Sequence, residues 1–170
     1  MNALWERCAP WLMLALCLLV TLIVLRLPGP AAPAAAPAQG LSPAPRFAGE
    51  ALFLRPFAPE EPVWHGAPGL WKTHNGLDVA CEEAAALLPG TVLRVERDAL
   101  WGTSVTVGSD GTSVVYRSLS SCAVREGQQV LAGDVLGAAG AAPCEAELGA
   151  HVHIEYRAHG QLCDPQTLLP

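Results

Sequence analysis

Thr73-His74-Asn75-Gly76-Leu77-Asp78 takes its meaning from a second stretch near the end of the chain, His151-Val152-His153-Ile154-Glu155-Tyr156. Side chains of a strand alternate between two faces. The second stretch therefore points His151, His153 and Glu155 one way, and Val152, Ile154 and Tyr156 the other. The apolar face belongs to a core, and the opposite face presents two imidazoles side by side. In the first stretch, Asn75-Gly76 predicts a turn rather than a helix. Gly76 lets the chain bend so that His74 and Asp78 converge. Zinc accepts histidine nitrogen and aspartate oxygen, and three protein ligands leave one position open for water. A closed structural site uses four protein ligands, often Cys. Cys81 is the nearby candidate, but in a strand leaving Asp78 its odd offset turns it away. The two stretches together predict a zinc site.

Working outward, short β runs dominate. Thr91–Glu96, Ser104–Val107 and Thr112–Tyr116 alternate, and Asp110-Gly111 between the last two is a hairpin signal. Gly127, Gly133, Gly137 and Gly140 punctuate short strands around Val130 and Val135-Leu136. The last strand is expected at His151–Tyr156. Glu82–Leu88 is the one segment that reads as a short helix, with Glu82-Glu83 at its exposed start. Before the first motif, Pro56, Pro59 and Pro62 break any helix, so residues from Arg46 read as an irregular lead-in with one short strand. Several short strands with turns between them predict an all-β, antiparallel sheet or sandwich domain.

The N-terminal third is different. Residues 9–27 form an apolar run interrupted only by Arg26, and a helix of that length reaches roughly 25–28 Å, close to the hydrocarbon thickness of a bilayer. It is expected to be a retained anchor, with residues 1–8 as a cytoplasmic tail. A cleaved signal is the rival, since Ala36-Pro37-Ala38 loosely matches a small-residue cleavage site. Residues 28–45 are almost entirely Pro, Ala, Gly and Ser and predict a semi-extended linker. The domain, residues 46–170, is then extracytoplasmic. The net charge of −6 and the absence of a basic patch exclude a nucleic-acid-binding surface. Cys81, Cys122, Cys144 and Cys163 permit two disulfides outside the cytoplasm, with no pairing fixed by their spacing.

On these residues the chain resembles the lysostaphin-type (LytM-like) zinc peptidases, whose fold is the lysostaphin-like duplicated hybrid motif. The resemblance covers roughly residues 63–170. It rests on Thr73–Asp78, the strand at 91–96, Val124-Arg-Glu-Gly-Gln-Gln-Val-Leu-Ala-Gly133, Val135–Gly137, His151–His153 and the terminal Cys163-Asp164-Pro165. It implies that His74, Asp78 and His153 are the metal ligands of a Zn2+ cofactor and that His151 is a general base or transition-state stabiliser. Active members carry one more histidine in a Tyr-x-His-Leu segment; here Tyr116-Arg117-Ser118-Leu119 puts Ser118 in its place. A serine cannot carry positive charge at neutral pH, and an oxyanion partner of that kind is worth on the order of 10² to 10³ in rate.

Val115–Ser121 and Arg97–Gly102 are similar to a sporulation branch of that family, built as one membrane anchor, a spacer and this domain. That likeness implies a scaffold or channel component between forespore and mother cell. Its implied partner is a mother-cell membrane protein resembling stage III sporulation protein AH, with a ring oligomer as the assembly. The alternatives are a peptidoglycan endopeptidase cutting cell-wall cross-links, or a regulator of a separate amidase. The remaining residues read more plainly. His65 and His159 are expected at the surface, Trp101 packs a hairpin, and Glu155 either orients a metal-bound histidine or is solvated.

Overall fold

The computed structural model describes residues 52–169. Twelve strands follow in chain order: β1 Leu52–Arg55, β2 Ala58–His65, β3 Leu70–His74, β4 Leu77–Ala80, β5 Glu83–Ala85, β6 Gly90–Asp98, β7 Gly102–Ser109, β8 Thr112–Leu119, β9 Gln129–Val130, β10 Val135–Ala138, β11 Val152–Ala158 and β12 Gln161–Cys163. Two 3-10 turns, Pro143–Leu148 and Pro165–Leu168, complete the set. The main sheet runs β1-β4-β11-β8-β7-β6-β9, with β12 beside the C-terminal half of β11. β5 pairs with β10 and β2 with β3 in two smaller sheets. Every pairing is antiparallel, as the alternating runs predict. The apolar run at residues 9–27 and the linker lie outside the described residues. Among those described, no helix is long and apolar enough to cross a membrane.

The core follows from the alternation. Val105, Val107, Val114, Tyr116, Val152 and Ile154 face one side of the central strands and are buried together with Leu77, Val79, Leu87 and Leu136. The Tyr116 hydroxyl, buried among them, accepts the Leu87 N–H at 2.7 Å. That bond answers the cost of a buried polar group, and burial pushes the phenol's pKa upward. Asp110 and Gly111 both take positive φ, 49° and 79°, in the turn between β7 and β8. Two consecutive left-handed residues are what a two-residue hairpin of right-handed twist requires.

Four expectations are corrected. Glu82–Leu88 is not helical: Ala84 to Leu87 are buried, and Ala84 and Ala85 lie in β5 against β10, so tertiary burial overrides a weak local preference. The lead-in holds three strands rather than one. Pro59 and Pro62 fit in β2 because it belongs to a two-stranded sheet, where one edge needs no backbone donors. The last strand is β12, not β11. Cys81, Cys122, Cys144 and Cys163 are free thiols, so neither permitted disulfide is formed.

Candidate metal centre

β4 and β11 run antiparallel with Asp78 directly opposite His153. The register follows from the pleat: Val79 and Val152, one step away, pair on the core face, which leaves Asp78 and His153 together on the other. His153 Nδ1 lies 2.7 Å from Asp78 Oδ1. His74 ends β3, and its Nε2 sits 3.2 Å from His153 Nδ1 and 3.3 Å from Asp78 Oδ2. Its other nitrogen, Nδ1, is 2.7 Å from the Pro56 carbonyl. A carbonyl only accepts, so Nδ1 carries the proton and Nε2 offers a lone pair to the centre. The structure thus gathers His74, Asp78 and His153 as the two motifs predict.

Gly76 contributes differently from expectation. Its φ is not positive; instead a Cβ there would stand 2.5 Å from His153 Nε2 and 2.8 Å from the Ile154 carbonyl oxygen. Glycine is needed because the His153 ring lies against this backbone.

A fourth side chain joins them. Glu145 is fully buried, and one of its oxygens falls with ligand atoms of His74, Asp78 and His153 inside a group spanning no more than 4.8 Å. Oε2 is 3.5 Å from His153 Nδ1 and 3.4 Å from His151 Nε2. Glu145 breaks the regularity of its 3-10 turn, with φ −138° and ψ 31°. Nothing in the run of Ala, Pro and Gly around it forecasts that it points inward.

Charge is balanced within the cluster. Arg55 is nearly buried, and a register shift between Phe53 and Arg55 brings it opposite Asp78. Its Nη1 donates to Asp78 Oδ2 at 3.2 Å and Glu145 Oε1 at 2.9 Å, and Nη2 to Glu147 Oε1 at 2.7 Å. Burial alone would raise the carboxyl pKa values. The hydrogen-bonding histidines outweigh it and hold Asp78 and Glu145 below the usual range. Burial likewise opposes protonation of His153, but Asp78 and Glu145 prevail and lift it to about 10.

The other expected residues fall as follows. His151 is fully buried; its Nδ1 donates to the Gly149 carbonyl at 2.9 Å, and its pKa is raised because Glu145 and that carbonyl outweigh burial. Ser118 is buried with φ 66°, and its hydroxyl is committed to backbone: it donates to the Gly140 carbonyl at 2.9 Å and accepts the Ala142 N–H at 3.0 Å. Glu155 stands 3.7 Å from His153 Nε2 and accepts from Arg117 at 2.9 Å. Trp101 covers His153, ring centroids 4.6 Å apart, and the Arg117 guanidinium lies 5.2 Å from the Trp101 ring centre. His159 is exposed as expected. His65 is not: its side chain is wholly buried, with Nδ1 3.8 Å from Glu145 Oε1 and neither ring nitrogen hydrogen-bonded. Strand β2 carries it inward at a position the proline pattern conceals.

Comparison with known proteins agrees with this geometry. The model of peptidase family M23 matches residues 72–165. Stage II sporulation protein Q of Bacillus subtilis (strain 168) is 36% identical over 101 residues, which is 56% of this chain and 36% of that protein's length. Similar solved structures include two of a sporulation complex. One, of a SpoIIIAH and SpoIIQ complex, aligns with a TM-score of 0.63 at 26% identity over 72% of this chain and 94% of the other. The second, of the SpoIIQ-SpoIIIAH pore-forming complex, gives 0.55 at 30% identity over 64% and 71%.

Proposed function

Because the chain belongs to peptidase family M23, we propose that it is a zinc-binding scaffold of the sporulation type, held outside the cytoplasm by its N-terminal apolar run. Its partner, on this reading, is a protein like stage III sporulation protein AH. The observation that carries this is the likeness to SpoIIQ in complex with SpoIIIAH, over nearly the whole of that chain. An edge suited to a strand-like partner supports it. Among the described residues β1 ends the sheet on one side, whereas the outer edge of β6 is occupied: β9 pairs with Gly90 and Thr91, Gly127 and Gln128 bond Val92, and the Glu126 side chain accepts the Val95 N–H. Binding of the full chain to a stage III sporulation protein AH-type partner by isothermal titration tests it; saturable binding is expected, and its absence overturns the assignment.

His74, Asp78 and His153 fit a metal. Bonds of about 2.0–2.2 Å in a tetrahedron place ligand atoms roughly 3.3–3.6 Å apart. The separations of His74 Nε2 from His153 Nδ1 and from Asp78 Oδ2 are 3.2 and 3.3 Å, while His153 Nδ1 and Asp78 Oδ1, hydrogen-bonded at 2.7 Å, would part slightly around the ion. Zinc held there supplies Lewis acidity and fixed positive charge. The chain's own residues are poorly arranged for turnover. Ser118 spends its hydroxyl on Gly140 and Ala142. His151 faces the Glu145 carboxylate, which raises its pKa and suits it to stabilising negative charge more than to accepting a proton.

The second reading is a zinc-dependent peptidoglycan endopeptidase. It is favoured by the retention of His74, Asp78, His151 and His153 in one cluster. Muralytic activity abolished by His151→Ala would establish it.

A further inference from the structure

We propose that Glu145 is a fourth protein ligand of this metal centre, occupying the position that a three-ligand site leaves to water. The inference rests on the zinc-binding reading above and goes beyond it by fixing the coordination as closed.

The geometry brings the carboxylate there. Its Oε2 lies 3.5 Å from His153 Nδ1 and its Oε1 3.8 Å from His74 Nε2, and one of the two stands within 4.8 Å of the ligand atoms of His74, Asp78 and His153. Glu145 has no solvent to face, so hydration does not account for its charge. A buried carboxylate persists only with compensating charge; Arg55 and the histidines supply it in the metal-free chain, and a divalent ion held here would be balanced as well. Asp78 and Glu145 neutralise it, and Arg55 is matched by Glu147 at 2.7 Å. Arg55 also grips Glu145 Oε1 and Asp78 Oδ2, orienting both carboxylates from outside. His65 is the second sign. Its ring is completely buried beside Glu145 Oε1, and both nitrogens lack partners among the described residues. Leaving a buried imidazole unbonded is costly. Its place against Glu145 marks a polar interior whose hydrogen-bonding capacity exceeds what these side chains satisfy among themselves.

The loop that carries Glu145 is built to hold it in. Pro143 starts the 3-10 turn, Cys144 N–H donates to the Leu100 carbonyl at 3.2 Å, and Ala142 N–H donates to the Ser118 hydroxyl. Ser118, which the family resemblance puts in the place of a histidine, thus anchors the segment that carries Glu145.

Cobalt substitution reads the coordination directly. The full chain is loaded with Co2+, its visible absorption recorded, and azide added. A closed four-ligand site gives an intense tetrahedral-type spectrum that azide leaves unchanged. Glu145→Gln is expected to weaken metal binding by more than about 100-fold, beyond what loss of a merely supporting residue costs, and to make the spectrum respond to azide. If Glu145→Gln does not fold by circular dichroism, Glu145→Asp, which keeps the charge and withdraws the carboxylate, is read in the same way. An azide-responsive wild type overturns the proposal, as does a Glu145→Gln chain with the wild-type spectrum. Failure of the wild type to take up any Co2+ or Zn2+ is a different result: it refutes the metal-binding reading itself.

Discussion

The guanidinium of Arg55 bridges Asp78 and Glu145, with Nη1 at 3.2 Å from one carboxylate and 2.9 Å from the other. One residue from the first described strand thereby ties the sheet to the loop before β11. Arg55→Ala leaves two buried carboxylates short of a counter-charge, and breaking a buried pair costs about 3–5 kcal/mol. Chemical denaturation of the chelator-treated variant should show a loss of that order. With zinc present the loss should be smaller, because the ion supplies positive charge to the same oxygens.

Gly76→Ala forces a Cβ to 2.5 Å from His153 Nε2 and 2.8 Å from a backbone carbonyl. The carbonyl cannot yield without breaking the β4–β11 register. Overpacking of this kind costs about 1–3 kcal/mol. Thermal unfolding and zinc titration should both register the change, with weaker zinc binding as His153 is displaced.

His74→Ala and Asp78→Ala should each abolish stoichiometric zinc, measured by elemental analysis after gel filtration. Each should also lower the melting temperature of the zinc-loaded chain toward that of the chelator-treated wild type. Retention of one zinc per chain in either variant would refute the ligand assignment.

The metal-free chain should show a particular pH dependence. His153 is raised to about 10 in the folded state, from an ordinary value near 6.5. Its contribution is complete below about pH 6.5 and is lost as pH rises toward 10. Asp78 and Glu145 are depressed, so theirs is complete above the ordinary carboxylate range and is lost as pH falls below it. His65 acts in the opposite sense: burial lowers it to about 4, so its contribution is lost as pH falls below about 6.5. Melting temperatures of chelator-treated protein should therefore be highest near about pH 6.5 and fall on the alkaline side. Bound zinc should flatten the alkaline fall.

The thiols offer an independent check on the fold. Cys122 is exposed, whereas burial pushes the Cys81 and Cys144 thiols up to about 11. Maleimide or disulfide reagents at pH 8, mapped by peptide mass, should label Cys122 first and Cys81 and Cys144 far more slowly, since the thiolate is the reactive form. Mild reduction should leave the melting temperature unchanged.

What the chain discloses in advance divides along a physical line. The central strands are legible because their residues alternate, and Asp110-Gly111 marks its hairpin locally. His74, Asp78 and His153 are legible because a turn and a strand pleat place them by short-range geometry. Arg55, His65 and Glu145 are not. Each reaches the centre through long-range contacts: β1 pairing with β4, a proline-bearing strand folding onto β3, and a 3-10 turn with no periodicity. Ala84 and Ala85 mislead for a related reason, since small buried residues fit helix or strand equally until their neighbours are known.

The most direct test is release of soluble fragments from purified peptidoglycan by the zinc-loaded full chain, followed against the chelator-treated chain. The scaffold account predicts equal, background release from both. Zinc-dependent release that His151→Ala eliminates would contradict it and make this chain a peptidase.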